Sequence, residues 1–164
     1  MHHMYIRSVL AAAALTVSGA ASAQGVVTTK QLSAEVANGI AMAAIEQCRK
    51  DGFRVSVAIV DRGGNVQVLV RDDAAGPHTS DTARRKAFTS ATFGITTAEF
   101  ATRVANPSTA ALQDITGVIS LAGGVPVRAG SDLVGGIGVG GAPSGDRDEA
   151  CANAGLAKFS AQIK

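Results

Sequence analysis

Val55, Val57 and Ile59 alternate with Arg54, Ser56 and Ala58, and Arg62-Gly63-Gly64-Asn65 follows at once with Val66 to Arg71 behind it. No other stretch restricts the fold so tightly. Alternation with period two puts one set of side chains on a buried face. A Gly-Gly turn lets the chain reverse tightly, so the two runs read as an antiparallel β-hairpin. Helical spacing brackets this hairpin. Leu32, Val36, Ile40, Ala44 and Cys48 recur at three- to four-residue steps, with a capping box expected from Thr28 to Gln31 and a stop at Gly52.

After the hairpin comes the Pro/Gly-bearing loop Asp72 to Thr79, then a helix expected from about Asp81 to Phe93 and closed by Gly94. Ala83, Ala87 and Ala91 give that helix a narrow stripe suited to close packing on a sheet. Thr96 and Glu99 spell a second capping box for a short helix, which Asn106-Pro107 ends. Val118 to Leu121 reads as a further strand, as do Gly123 to Val127 and the glycine-diluted run Leu133 to Val139. A last helix is expected from near Asp146 to about Ala161. This order predicts a single α+β domain: a central antiparallel β-sheet with N- and C-terminal helices and an intervening helical segment packed on it.

The first residues have the layout of an export signal. Arg7 is the basic start, Ser8 to Ala20 is apolar, and Ala21-Ser22-Ala23 is a small-residue cleavage site. Residues 1–23 are therefore expected to be removed, leaving a mature domain at 24–164 that is periplasmic or secreted. Without Arg7 the mature chain has 14 Lys and Arg against 13 Asp and Glu. That near-neutral balance argues against nucleic acid as a partner, and no later run is long enough to span a membrane. Cys48 and Cys151 are the only cysteines. In an oxidising compartment they read as a disulfide tying the first helix to the last; the alternative is two buried free thiols.

Candidate chemistry gathers around His78. His2 and His3 fall within the expected leader, so His78 is the one imidazole of the mature chain. It lies in Gly76-Pro77-His78-Thr79, just ahead of Arg84-Arg85-Lys86. Haem iron is commonly held by His, Cys, Met or Tyr. The one tyrosine, Tyr5, leaves with the leader, Met42 is mid-helix, and the cysteines are paired or buried. His78 is thus the candidate haem ligand; the bland alternative is an ordinary exposed loop histidine. Thr79 beside it, Arg84 and Arg85 as propionate partners, and Phe88 as an apolar wall complete the candidate cofactor site.

Three other readings are weaker. Gly135 to Gly141 resembles a dinucleotide loop but lies on no βαβ unit. His78, Ser80 and Asp81 are too close in sequence to array as a catalytic triad. Asp72, Asp73, His78 and Asp81 lack the fixed spacing of a metal-ion site.

Taken in order, Val57 to Asn65, Arg71-Asp72-Asp73, Ala83 to Thr89, Gly123 to Val127, Gly135 to Gly141 and Asp148-Glu149-Ala150-Cys151 resemble the GlcG/HbpS family across nearly all of the mature chain. Many members carry a Met-Asp-Gly-type turn where this chain has Asp72-Asp73-Ala74. The resemblance implies an α+β fold, a homo-oligomer, and binding of haem or another small anionic ligand, for storage or sensing. Two alternatives stand beside this reading: an enzyme acting on haem, as suggested for the family, or on a small organic acid; and a structural oligomer without catalysis, built by the Gly-rich strand and a Cys48–Cys151 bridge.

Overall fold

A computed structural model describes residues 25–164; the expected leader, residues 1–23, lies outside them. The hairpin forms as its alternation requires. Strand β1 (Ser56–Asp61) pairs antiparallel with β2 (Val66–Arg71), setting Val57 opposite Val70 and Ile59 opposite Val68. The turn closes with the Gly64 N–H on the Asp61 carbonyl at 3.0 Å and the Asn65 N–H on the Asp61 carboxylate at 2.9 Å. Gly64 has φ +80°, a conformation that costs glycine nothing.

Strands β3 (Gly124–Ala129) and β4 (Asp132–Gly140) form a second hairpin, and the four-stranded antiparallel sheet has the order β2-β1-β4-β3. On one face Val57, Ile59, Ile137 and Val139 pack with Ile40, Ala44 and Ile45 of helix α1 (Ala34–Lys50) and with Ala152 of helix α4 (Gly145–Lys158). On the other face Ala58 and Val60 meet Ala83, Ala87 and Ala91 of helix α2 (Thr79–Phe93). Helices on both faces bury β1 from Ser56 to Val60, whereas β2 at the edge leaves Val66 and Leu69 exposed.

The glycines of β4 let α2 sit directly on the sheet. A β-carbon at Gly136 would stand 2.4 Å from the Ala87 carbonyl oxygen, and one at Gly138 2.1 Å from that of Ala83. Small residues on both partners therefore interlock through backbone rather than side chains. Helix α2 ends at Gly94 in the left-handed region, and helix α3 (Thr97–Val104) opens with the full Thr96–Glu99 capping box. A sulfur–sulfur bond joins Cys48 of α1 to Cys151 of α4, with Cα atoms 5.6 Å apart. Among the described residues no helix is long and apolar enough to cross a membrane.

Two sequence expectations are corrected. The first helix is capped by Ser33, whose hydroxyl accepts the Val36 N–H at 3.2 Å, and not by Thr28. Ser33 sits directly before Ala34, the first helical residue, and has Glu35 in the first turn to complement the dipole. Val118 to Leu121 is not a strand. Its backbone is held by α2 side chains instead: Arg85 donates to the Val118 carbonyl at 2.6 Å, and the Ile119 N–H donates to the Thr89 hydroxyl at 2.9 Å. Hydrogen-bonding needs met in that way leave no ladder to join.

Ala74 has φ +63°, the one non-glycine residue with positive φ among those described. An L-residue with a β-carbon is strained there by about 1–2 kcal/mol. Ala74→Gly is expected to relieve that strain, less the roughly 0.4–1 kcal/mol of extra freedom glycine gives the unfolded chain. The net should be a rise in melting temperature of about 2 °C by circular dichroism. A fall would show that the loop conformation is not strained.

Candidate functional site

The loop between β2 and α2 is fixed at several points, and those fixings place His78. Asp72 is almost fully buried, and the Arg49 guanidinium donates to both carboxylate oxygens, with Nε 3.0 Å from each. That bidentate contact, with the Asp73 N–H at 2.8 Å, holds the Asp72 carboxyl below its ordinary range despite its burial. Arg71 donates to the Ala75 carbonyl at 2.9 Å. Thr79 donates to the Gly76 carbonyl and shares a 2.7 Å hydrogen bond with the buried Ser56 hydroxyl. His78 caps α2 with no side-chain capping bond, so its imidazole stays exposed and uncommitted to the helix.

His78 stands at the mouth of a cleft of about 370 Å³. One wall is the α2 row His78, Thr82 and Lys86, spaced at one helical turn each. The opposing wall is the strap Ser120 to Ala122, and the end is closed by Ala142, Pro143 and Ser144 of the β4–α4 loop. Leu121 is 53% exposed, so the rim carries a large apolar side chain opposite the imidazole wall. Another hollow of about 340 Å³ lies between the start of α1 and the chain end, but it has neither an imidazole nor a carboxylate side chain.

The floor is ionic. Lys86 Nζ lies 2.7 Å from Asp148 Oδ2, with side chains 3% and 4% exposed. Asp148 Oδ1 accepts the Ala142 N–H at 3.0 Å. One carboxylate therefore ties α2, the β4–α4 loop and α4 together. Burial pushes the Asp148 carboxyl above its ordinary value, while the Lys86 ammonium and the loop N–H groups pull against that. Removing either partner would strand a buried charge.

The candidate residues do not all converge here. His78 lines the cleft, and Thr79 lies under it in the Ser56 contact. Arg84 pairs with Asp81 at 2.8 Å on the helix surface. Arg85 holds the strap through Val118. Phe88 packs with the Phe100, Val104 and Val118 cluster and lies over Gly64 and Gly117. Asp72 is taken by Arg49 and Asp81 by Arg84, and no cluster of three metal-type ligands occurs among the described residues. The Lys86–Asp148 pair went unread in sequence because its partners lie 62 residues apart. Only the i, i+4 row from His78 hinted that Lys86, rather than Arg84 or Arg85, shares the histidine's face.

Known proteins match this architecture along most of its length. A family model described as haem degrading protein HbpS-like matches residues 32–157. Protein GlcG of Escherichia coli K12 is 33% identical over 108 residues, covering 66% of this chain and 80% of its own. The crystal structure of a double mutant of Streptomyces reticuli HbpS superposes with a TM-score of 0.80 at 46% identity, over 91% of this chain and 98% of that one. The crystal structure of a PduOC:heme complex superposes with a TM-score of 0.71 at 27% identity, over 78% and 94% of the two chains. Fold, ordered sequence blocks and matched span agree, and the chain belongs to the GlcG/HbpS family.

Proposed function

We propose that this is an exported haem-binding protein whose mature form begins at Gln24, works in the periplasm or outside the cell, and assembles as a homo-oligomer. The observation that carries the binding part is the His78 cleft, which sets the one imidazole among the described residues at an opening with an apolar rim. A related chain crystallised as a heme complex supports the choice of ligand. The residues present fit such a group. Imidazole is a common axial ligand, Leu121, Ala122 and Pro143 offer apolar contact, and the imidazole is not used in capping α2.

Bound haem supplies a redox-active iron. The chain's own work is to hold it. The Arg49–Asp72 contact and the Thr79–Ser56 bond fix the loop that carries His78. The strap held by Arg85 and Thr89 supplies the facing wall. The buried hydroxyls of Ser56 and Thr79 bond to each other, so they do not form a nucleophile–base pair. Binding is therefore favoured over hydrolytic chemistry. The A-x-A site at Ala21 to Ala23, together with the Cys48–Cys151 bond, supports export.

Adding haem to purified residues 24–164 is expected to give a Soret band shifted from that of free haem. His78→Ala should abolish the shift or weaken binding at least tenfold. An unchanged spectrum in the variant would remove His78 as the ligand, and no spectral change in the wild type would remove the haem reading.

A further inference from the structure

The cleft floor has a feature that ligation by His78 does not use. The Lys86 ammonium carries three N–H donors, and among the described residues its one hydrogen bond is to Asp148. The side chain is nevertheless 3% exposed and lines the cleft. A buried ammonium with unfilled donors is costly unless a further acceptor reaches it. Asp148 is already engaged at both oxygens, with Oδ2 accepting from Lys86 and Oδ1 from the Ala142 N–H. The start of α4 does not compete for an anion. The Asp146 carboxyl accepts from Ser144 and from the first amides of that helix, which hold it below its ordinary value. Lys86 is thus the one lysine or arginine side chain in the cleft lining, which also includes Ser120, Ser144, Leu121 and Pro143.

The geometry points to a carboxylate-recognition pocket at the base of the cleft, in which Lys86 donates to the carboxylate of a ligand whose apolar body lies toward Leu121 and Pro143. This deepens the haem reading and rests on it for the identity of the larger ligand. His78 and Lys86 are eight residues apart, about 12 Å along the helix, so a macrocycle over His78 would present a propionate-bearing edge to Lys86. The same chemistry would serve a free aromatic or aliphatic carboxylate. Asp148 is the positioning residue: it holds Lys86 and the Ala142 loop in one arrangement.

The test uses probes that separate the carboxylate from the iron and from the macrocycle. Residues 24–164 are titrated with haem, with haem dimethyl ester, with iron-free protoporphyrin and with benzoate. Haem should bind at least tenfold more tightly than its dimethyl ester. Protoporphyrin should bind to the His78→Ala variant about as well as to the wild type. The paired variant Lys86→Gln with Asp148→Asn, which removes both charges together, should bring haem and ester to within about twofold of each other. Benzoate binding to wild type but not to the paired variant would identify a free carboxylate as the natural class even if haem does not bind, so failure of the haem reading is distinguishable. Equal wild-type affinity for haem and its ester overturns the proposal, and needs no variant to fold. If haem does not bind, absence of benzoate binding overturns it as well.

Discussion

Gly138→Ala is expected to destabilise the protein by about 3 kcal/mol or more, at the upper end of what overpacking by a single methyl costs. The added β-carbon would lie 2.1 Å from the Ala83 carbonyl oxygen and 2.4 Å from the Ala87 nitrogen. Both obstacles are backbone atoms of a helix, so no side chain can rotate out of the way. Shortening the helix residue is no remedy either: Ala83→Gly leaves the carbonyl where it was, and the double variant should be no more stable than Gly138→Ala alone. Relief requires α2 to lift from the sheet, which would open the contacts of Ala58 and Val60 with Ala83, Ala87 and Ala91. Because α2 also carries His78, Thr82 and Lys86, the cleft wall should move with it. Guanidinium unfolding monitored by circular dichroism measures the loss. A midpoint close to that of the wild type would mean that the α2–β4 contact is looser than the structure shows.

The reason this contact was partly legible in sequence is that both halves are local patterns. Ala83, Ala87 and Ala91 recur at helical spacing, and Gly136, Gly138 and Gly140 alternate at strand spacing. Each implies a close neighbour; that they are each other's neighbour, within one chain, comes only from the fold. The hairpin, the Thr96–Glu99 box and the Gly94 stop are local in the same sense, and the structure reproduces them. The strap is a different case. Val118 to Leu121 has strand-like composition, but whether it joins a ladder depends on Arg85 and Thr89, about thirty positions away, reaching its backbone first. The Lys86–Asp148 floor is likewise invisible to any window, because neither residue type announces burial; long charged side chains are ordinarily solvated. In sequence, adjacency to His78 favoured Arg84 and Arg85 as ligand contacts. In three dimensions the helical row places Lys86 in the cleft lining with His78, while the two arginines turn to Asp81 and to the strap.

Removing the Cys48–Cys151 bond is expected to have the largest single effect on stability. The bond closes a span of 103 residues. Restricting an unfolded chain by a loop of that size contributes about 4–5 kcal/mol in the chain-entropy picture, a large fraction of the roughly 5–15 kcal/mol that holds a domain of this kind folded. Helices α1 and α4 remain in contact without it, since a β-carbon at Gly155 would already meet the Ile40 carbonyl at 2.7 Å. The effect should therefore appear in the unfolded state, with the fold itself retained. Cys48→Ala with Cys151→Ala should keep a native circular dichroism spectrum while its melting temperature falls by about 10–20 °C. Wild-type protein reduced under denaturing conditions and refolded in the presence of reductant, with both thiols free, should behave similarly. The two cases separate the bond from the packing of its sulfurs: both side chains are fully buried, so a loss seen in the alanine pair but not after reduction would assign the effect to cavity formation instead. The same protein produced without residues 1–23 in a reducing compartment should melt at the lower temperature until it is oxidised, and thiol titration in denaturant should then fall from two free thiols to none. If oxidised and reduced protein melt together, the bridge does not stabilise this fold.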